Sequence, residues 1–583
     1  MNKRKESVVK AIKMKTMKTL GAVALVSACV VTASLAGEFS KVACDASALP
    51  PERRFVAELL TSRVEARTPP SDAAKTLSVK FVLCDRNYGE DAVITVKGAS
   101  ATIFASRFRG LVFGAGALMR RMRYGRTTFT VEDGTFAFAP KKKLRMMYFA
   151  RHFHNWYHHA TAEELCEYID DLALSGHNAF QFFYQYPTFN RAGADEAEKR
   201  RFAVVSKKAY GRFRALDCEF CLGAGNNQAP KDTPEKFRGE PNVGAGRGNA
   251  GFNVCPAKPG AMEYLLEYRK KQLSELDGIK LDYLSYFPYD EGGCNCGKCR
   301  PWGGNGFLKL IERYTPLNKA SSPNAKTIVG TWLFDDDDWK GLYKWLEKSD
   351  LADYILADSH GDFPKYPLEH PVPRNVPVIT FPEISMWGRQ SWGEYGATAM
   401  PRRFFRLFHQ SNRVTSGFKV YSEGRYEDIN KEVVVGLYVD PSATVEDILR
   451  SYAAYYMPGT DPEDFVKLCG LFEDNHEFPG HKVTPDFSDI PEDSEELADY
   501  RRRAAEACRI VDRMQSMILP SLRLSWRWRL VFLRAMIDRE IFAERVSVTH
   551  HRGPNGGPIP DAKPDSAKPY FDEVHKIYGG CYW

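Results

Sequence analysis

Between residues 144 and 424 the chain alternates two hydrophobic rhythms. Short apolar runs of strand character are followed by longer stretches with apolar residues at helical spacing. LRMMYFA (144–150) precedes TAEELCEYIDDLALSG, NAFQFFYQ (178–185) precedes AEKRRFAVVSKKAYGRFRAL, and CEFCLGAGN (218–226) precedes AMEYLLEYRKKQLSEL. GIKLDYLSYFPYDE (278–291), KTIVGTWLF (326–334), ADYILADSH (352–360), VPVITFPEI (376–384) and SGFKVYSEG (416–424) bring the series to eight. Eight strands with helices between them predict an α/β fold, a (β/α)8 TIM barrel spanning residues 141–455. An open doubly wound sheet is the alternative, and the lack of a glycine-rich phosphate loop argues against it.

The flanks have other patterns. Residues 37–140 read as a small α/β domain, with strands at SVKFVLC (78–84), DAVITVKG (91–98) and TTFTVEDGTFAFAP (127–140). Between the last two, ATIFASRFRGLVFGAGALMRRM runs from a strand into a helix. Residues 456–583 are mainly helical, since SEELADYRRRAAEACRIVDRMQSMI and SLRLSWRWRLVFLRAMIDREIFAERV both keep helical apolar spacing. Trp526, Arg527, Trp528 and Arg529 suggest either a basic aromatic patch or a snorkelling helix face, and the second is the expectation.

Residues 1–36 have the layout of a signal peptide. Seven basic residues precede the apolar run LGAVALVSACVVTASLA, which ends in small residues suited to cleavage near Ala36. Within it, Val26-Ser27-Ala28-Cys29 resembles a lipoprotein box, so membrane attachment would follow only from lipidation at Cys29. The expected location is therefore secreted or periplasmic. This segment also accounts for the charge: its seven Lys/Arg against Glu6 contribute +6 of the chain's +7. The remainder is near neutral, which does not indicate a nucleic-acid partner.

In a barrel the reactive groups lie where strands end and βα loops begin. Asp290 and Glu291 end the fourth predicted strand, Asp358 the sixth, Glu383 the seventh and Glu423 the eighth. Asp335–Asp338 follow the fifth and read mostly as a solvated turn opening a helix. Trp332, Trp387 and Tyr421 are among the aromatic residues nearby. Aromatic faces with carboxylates suit a sugar, whose C–H faces stack on rings while acids bind hydroxyls. Glycosidic cleavage needs one acid to protonate the departing oxygen and a second carboxylate for water, nucleophile or charge. The plainer alternative for each acid is a helix cap or an ion pair.

Two stretches carry a family resemblance. RFRGLVFGAGALMRRM resembles the signature of the small α/β domain that precedes the barrel in glycoside hydrolase families 20 and 67. YFPYDEGGCNCGKCRPWG resembles an uncharacterised bacterial group similar to family 67. The resemblance spans roughly residues 40–455. A family 20 match implies Glu291 as proton donor and Asp290 positioning a substrate acetamido group. A family 67 match, that of the α-glucuronidases, implies Glu291 as acid with Asp358 and Glu383 activating water; it accounts for three positions and is preferred. The cysteine loop departs from true α-glucuronidases.

Cys294, Cys296 and Cys299 are three possible zinc ligands; the Cys218-x-x-Cys221 pair would not complete the set, because Cys218 starts the third strand near the closed face while Cys294 lies beyond the far end of the fourth. The expectation is therefore a loop braced by a disulfide or free thiols, without a metal. After the first strand, Arg151 is a candidate for pairing a substrate carboxylate, with His154 lining the same pocket. Asn226 is a candidate for binding hydroxyls, alongside Asn227 and Gln228. No organic cofactor is expected. These readings predict an exported glycoside hydrolase acting on a poly- or oligosaccharide, α-glucuronidase-like or hexosaminidase-like. A non-catalytic carbohydrate-binding barrel and a metal-dependent hydrolase are the alternatives.

Overall fold

The computed structural model describes residues 35–68, 75–85, 89–151, 155–182, 184, 196–225, 227, 233–240, 253–276, 278–288, 293–383, 396–476, 490–545 and 565–577. Eight strands close a parallel barrel in chain order: β9 (Leu144–Phe149), β10 (Ala179–Phe182), β11 (Glu219–Gly225), β12 (Tyr283–Phe287), β13 (Lys326–Gly330), β14 (Tyr354–Asp358), β15 (Val378–Phe381) and β16 (Thr415–Ser422), which pairs back with β9. Each falls on a run read as a strand from its apolar pattern, β16 starting one residue earlier at Thr415. The interior is filled by alternate residues, as period-two side chains require. Met146, Tyr148, Cys221, Tyr283, Ile328, Leu356, Ile379, Phe381 and Tyr421 share one buried cluster.

Before the barrel, eight strands form two sheets. β2 (Lys41–Asp45), β3 (Thr76–Leu83), β5 (Ser100–Ala105), β4 (Ala92–Lys97) and β8 (Gly134–Phe138) make a five-stranded mixed sheet in that spatial order. β1 (Leu35–Phe39), β7 (Phe129–Glu132) and β6 (Arg123–Tyr124) make a three-stranded antiparallel one. The expected single strand at 127–140 is therefore two, belonging to different sheets. The break falls at Asp133, and Gly134, whose φ of 154° suits glycine, opens the second strand.

The helix Phe108–Arg121 carries the RG…GAG motif, and its role is packing. A Cβ at Gly110 would stand 2.8 Å from Ala105 Cβ, and one at Gly114 2.4 Å from Ile103 Cγ2, so this face lies directly on β5. A Cβ at Gly116 would meet the Leu174 carbonyl oxygen at 1.9 Å, on the first barrel helix, Ala162–Ser175. That neighbour is backbone and cannot rotate away. Gly116→Ala is therefore expected to destabilise the fold by at least ~1–3 kcal/mol, read as a lowered urea midpoint. Arg109 of the same motif reaches Glu90 and Glu219, each at 3.4 Å, while Arg145 Nη1 donates to Glu90 at 2.7 Å. Arg145 and Glu219 stand at the starts of β9 and β11, so this network ties the small domain to the closed end of the barrel.

The C-terminal part is helical, with helices Pro462–Asp474, Glu495–Met517, Trp526–Glu544 and Lys568–Ile577. Arg527 corrects the snorkelling expectation. It is buried and donates from Nε to Asp428 Oδ2 at 2.7 Å and from Nη1 to Asp171 Oδ2 at 2.9 Å. Trp528 is fully buried and Arg529 pairs with Glu573 at 2.6 Å. The apolar pattern located the helix; its buried side is mostly apolar, and Arg527 is held there beside Trp528 by Asp171 and Asp428. Among the described residues no helix is long and apolar enough to cross a membrane.

Candidate functional site

Alternation along three neighbouring strands decides what faces the open mouth. On β14, inward Leu356 is followed two residues later by Asp358. On β15, Phe381 is followed by Glu383, and on β16 Tyr421 by Glu423. The expected acids of the last three strands thus share one parity and one end of the barrel. Glu383 forms a parallel bridge with Tyr421, and the Tyr421 hydroxyl donates to Glu423 Oε1 at 2.8 Å. Burial, then Glu423 and Glu383, push the Tyr421 phenol well above its ordinary value, so it stays a donor.

Asp358 is held by backbone donors. Its Oδ1 accepts from the His360 N–H at 3.0 Å and its Oδ2 from the Leu333 N–H at 3.4 Å. Leu333 adopts φ 60°, a left-handed conformation that costs a leucine energy and turns its N–H toward the acid. Burial pushes the Asp358 carboxyl up to about 6; His360 and the two backbone donors pull the other way, and Glu383 adds to the rise. This acid therefore changes charge near neutral pH, as acid/base work requires.

His360, absent from the residues singled out in the sequence, joins the same cluster. Its Nδ1 pairs with Glu383 Oε2, and its ring meets Trp332 edge-on with centroids 5.0 Å apart. Arg403 Nη2 donates to the His360 carbonyl at 2.7 Å, fixing the loop that carries it. The signal for His360 was available: it stands two residues beyond Asp358, in step with the inward series. Trp332 also packs edge-on against Phe381 at 6.0 Å, so one aromatic wall of the mouth is built from β13 and β15 continuations.

One layer below sits a second group that the sequence did not flag. Lys419 is fully buried inside the barrel and donates to Gln181 Oε1 at 2.9 Å and Ser285 Oγ at 2.7 Å. Its ammonium lies 4.2 Å from the Phe287 ring centroid. Burial lowers it to about 7, with Cys221 opposing weakly.

Arg151 corrects the sequence expectation. Ala150 takes the inward position at the end of β9, so Arg151 turns outward into the layer between strand and helix. There it is fully buried, donating to the Tyr157 carbonyl at 3.2 Å and Ser206 Oγ at 2.6 Å, and lying 4.0 Å over the Phe202 ring. It braces the helix Glu196–Ala215 and is not directed at a substrate. Asp335 caps the helix Asp336–Leu346 through a capping box, as the solvated-turn reading predicts. Asn227 is buried and donates to the Val254 carbonyl at 3.2 Å, which assigns it to loop structure. Asp290, Glu291, His154, Asn226 and Trp387 lie outside the described residues.

The cysteine loop holds a thiol cluster. The Sγ atoms of Cys255, Cys294, Cys296 and Cys299 all lie within 4.8 Å of one another. Cys255, from the connection after β11, is the member that sequence reasoning missed. Cys221 stays apart inside the barrel against Gln181 Oε1 at 3.2 Å, and Cys218 immediately precedes β11, so the expected separation of those two from the loop holds.

No family model and no curated protein matches the sequence. Solved structures do match in fold. A family 89 glycoside hydrolase from Clostridium perfringens superposes with a TM-score of 0.59 at 12% identity, covering 86% of this chain and 62% of that one. A family 115 4-O-methyl-α-glucuronidase with specificity for decorated arabinogalactans gives 0.61 at 10% identity, over 92% and 75% of the two chains. A family 138 enzyme targeting the pectin rhamnogalacturonan II gives 0.54 at 10%, over 93% and 91%. At these identities the likeness is one of architecture, and it singles out neither family 20 nor family 67. The chain has a glycoside-hydrolase-like fold: a (β/α)8 barrel with an α/β domain before it and helices after it.

Proposed function

We propose that this protein is an exported glycoside hydrolase that cleaves O-glycosidic bonds of a poly- or oligosaccharide. The observation that carries the reading is the convergence of Asp358, Glu383 and Glu423 with Trp332, Tyr421 and His360 at the open end of the barrel. Aromatic walls beside acids fit a sugar ring and its hydroxyls. Asp358, with its raised pKa beside Glu383, suits activation of water once ionised. His360 orients Glu383, and the Tyr421–Glu423 pair is available to sugar hydroxyls.

In this proposal Glu291, four residues beyond the end of β12, protonates the departing oxygen. The α-glucuronidase and family 89 activities belong to the similar structures; for this chain an α-glycoside substrate is part of the proposal. The test is a panel of aryl α- and β-glycosides and plant polysaccharides, assayed with the parent protein and with Glu291→Gln. Turnover by the parent, lost in the variant while ligand binding persists, is the expected result. Binding without turnover by the parent on every substrate would replace the enzyme with a carbohydrate-binding barrel.

A further inference from the structure

We propose that Cys255, Cys294, Cys296 and Cys299 ligate a single zinc ion that staples the third and fourth βα loops of the barrel together. The residues come from two separate connections. Cys255 lies between β11 and the helix Ala261–Ser274, and the other three follow β12. Both connections leave the C-terminal ends of adjacent strands, on the same side as the candidate site.

The spacing is that of ligands around one small ion. Cys255 Sγ stands 3.7 Å from Cys296 Sγ and 3.8 Å from Cys299 Sγ. Four thiolates at a Zn–S length of about 2.3 Å form a tetrahedron whose edges are roughly 3.8 Å. Four-iron clusters spread their cysteine sulfurs further apart than one ion does. Four sulfurs are also the donor set that favours zinc over oxygen-preferring cations.

The surrounding backbone is already arranged for such a centre. The Cys299 and Arg300 N–H groups both donate to the Cys296 carbonyl, at 2.9 and 3.1 Å, closing a tight turn between two of the thiols. The Glu240 N–H donates to Cys294 Sγ at 3.4 Å. The Cys255 N–H donates to the Phe237 carbonyl at 2.9 Å, and Asn253 donates to the Gly293 carbonyl. Gly293 takes φ 67°, and a Cβ there would stand 2.1 Å from the buried Trp302 ring, so the loop enters the cluster along a path only glycine permits. Lys258, Lys298 and Arg300 supply positive charge near the four sulfurs in sequence.

Glu291 precedes Cys294 by three residues. A metal at the cluster therefore anchors the chain just beyond the proposed proton donor, while the zinc itself takes no part in the chemistry. The metal claim stands apart from the hydrolase reading, because its readouts do not use activity.

The experiment begins with the full chain purified without chelator and analysed for metals by mass spectrometry. One equivalent of zinc is expected, released when a mercurial titrates the thiols. Growth with cobalt is expected to give the thiolate-to-cobalt charge-transfer band of a tetrahedral sulfur site. Cys255→Ser is expected to lose the zinc, and Cys218→Ser to keep it. Zinc well below one equivalent in the parent, stoichiometric iron in its place, or disulfides among these four cysteines in non-reducing peptide maps would each overturn the proposal. The parent measurement decides even if Cys255→Ser does not fold.

Discussion

Asp358→Asn is expected to lower kcat/KM by about 10²–10⁴-fold on any glycoside the parent turns over, the range for removing a positioned acid/base group. In the parent, kcat/KM is expected to rise with pH through a limb near 6, because the carboxyl is pushed up to about 6 and must be ionised to activate water. The asparagine keeps the shape and can still accept from the His360 N–H, so lost activity would report charge and basicity.

The same variant makes an opposite prediction for stability. A carboxyl whose folded pKa is raised above its unfolded value of about 3.9 binds more protons folded than unfolded between those two values. Stability therefore falls as pH rises from about 4 to about 6, and the penalty, at most ~3 kcal/mol before solvent screening, stays in full above that. Asp358→Asn should melt higher than the parent near about pH 8 and equally near about pH 4. A pH–rate profile without a limb near 6, together with coincident melting curves at both pH values, would remove Asp358 from the proposed chemistry.

Arg527→Met is expected to cost about 3–5 kcal/mol, because it strands charges that the arginine neutralises. The guanidinium serves Asp428 and Asp171 at once, and Arg63 Nε binds Asp171 from the small domain at 2.9 Å. Tyr168 and Tyr452 hydroxyls also donate to Asp428, at 2.9 and 2.7 Å. Burial pushes both carboxyls up, yet Arg63 and Arg527 at Asp171, and Arg527 at Asp428, hold them below the usual carboxylate value. One chain of charges thus joins the small domain, the first barrel helix and the C-terminal helices. Urea unfolding is the measurement, with Asp428→Asn and the double variant completing a cycle. Coupling below about 0.5 kcal/mol would mean that the arginine contributes mainly through packing on Tyr456 and Trp526.

The barrel was legible because its information is local. Eight apolar runs of strand length, separated by helix-period stretches, admit few arrangements, and each observed strand falls on its run, β16 starting one residue before it. The acids at the ends of β14, β15 and β16 were legible for the same reason, since parity along a strand sets which face a side chain takes. Parity also misled where it was not applied: Arg151 follows the inward Ala150 and so turns away from the mouth. The motif around Gly110, Gly114 and Gly116 was visible as a signature, but its cause, backbone and Cβ contacts with β5 and Leu174, lies in elements far along the chain.

The sequence by itself determined the order of strands, the placement of acids at their ends and the helical nature of the C-terminal part. Only the tertiary structure decided that His360 engages Glu383, that Arg527 bridges two buried aspartates, and that Cys255 completes a cluster begun about forty residues later. The division follows from range. Alternation and helical spacing act between near neighbours and can be read along a line. Ion pairing and thiol clustering depend on distances in space between residues that only closure of the barrel and docking of its flanks bring together.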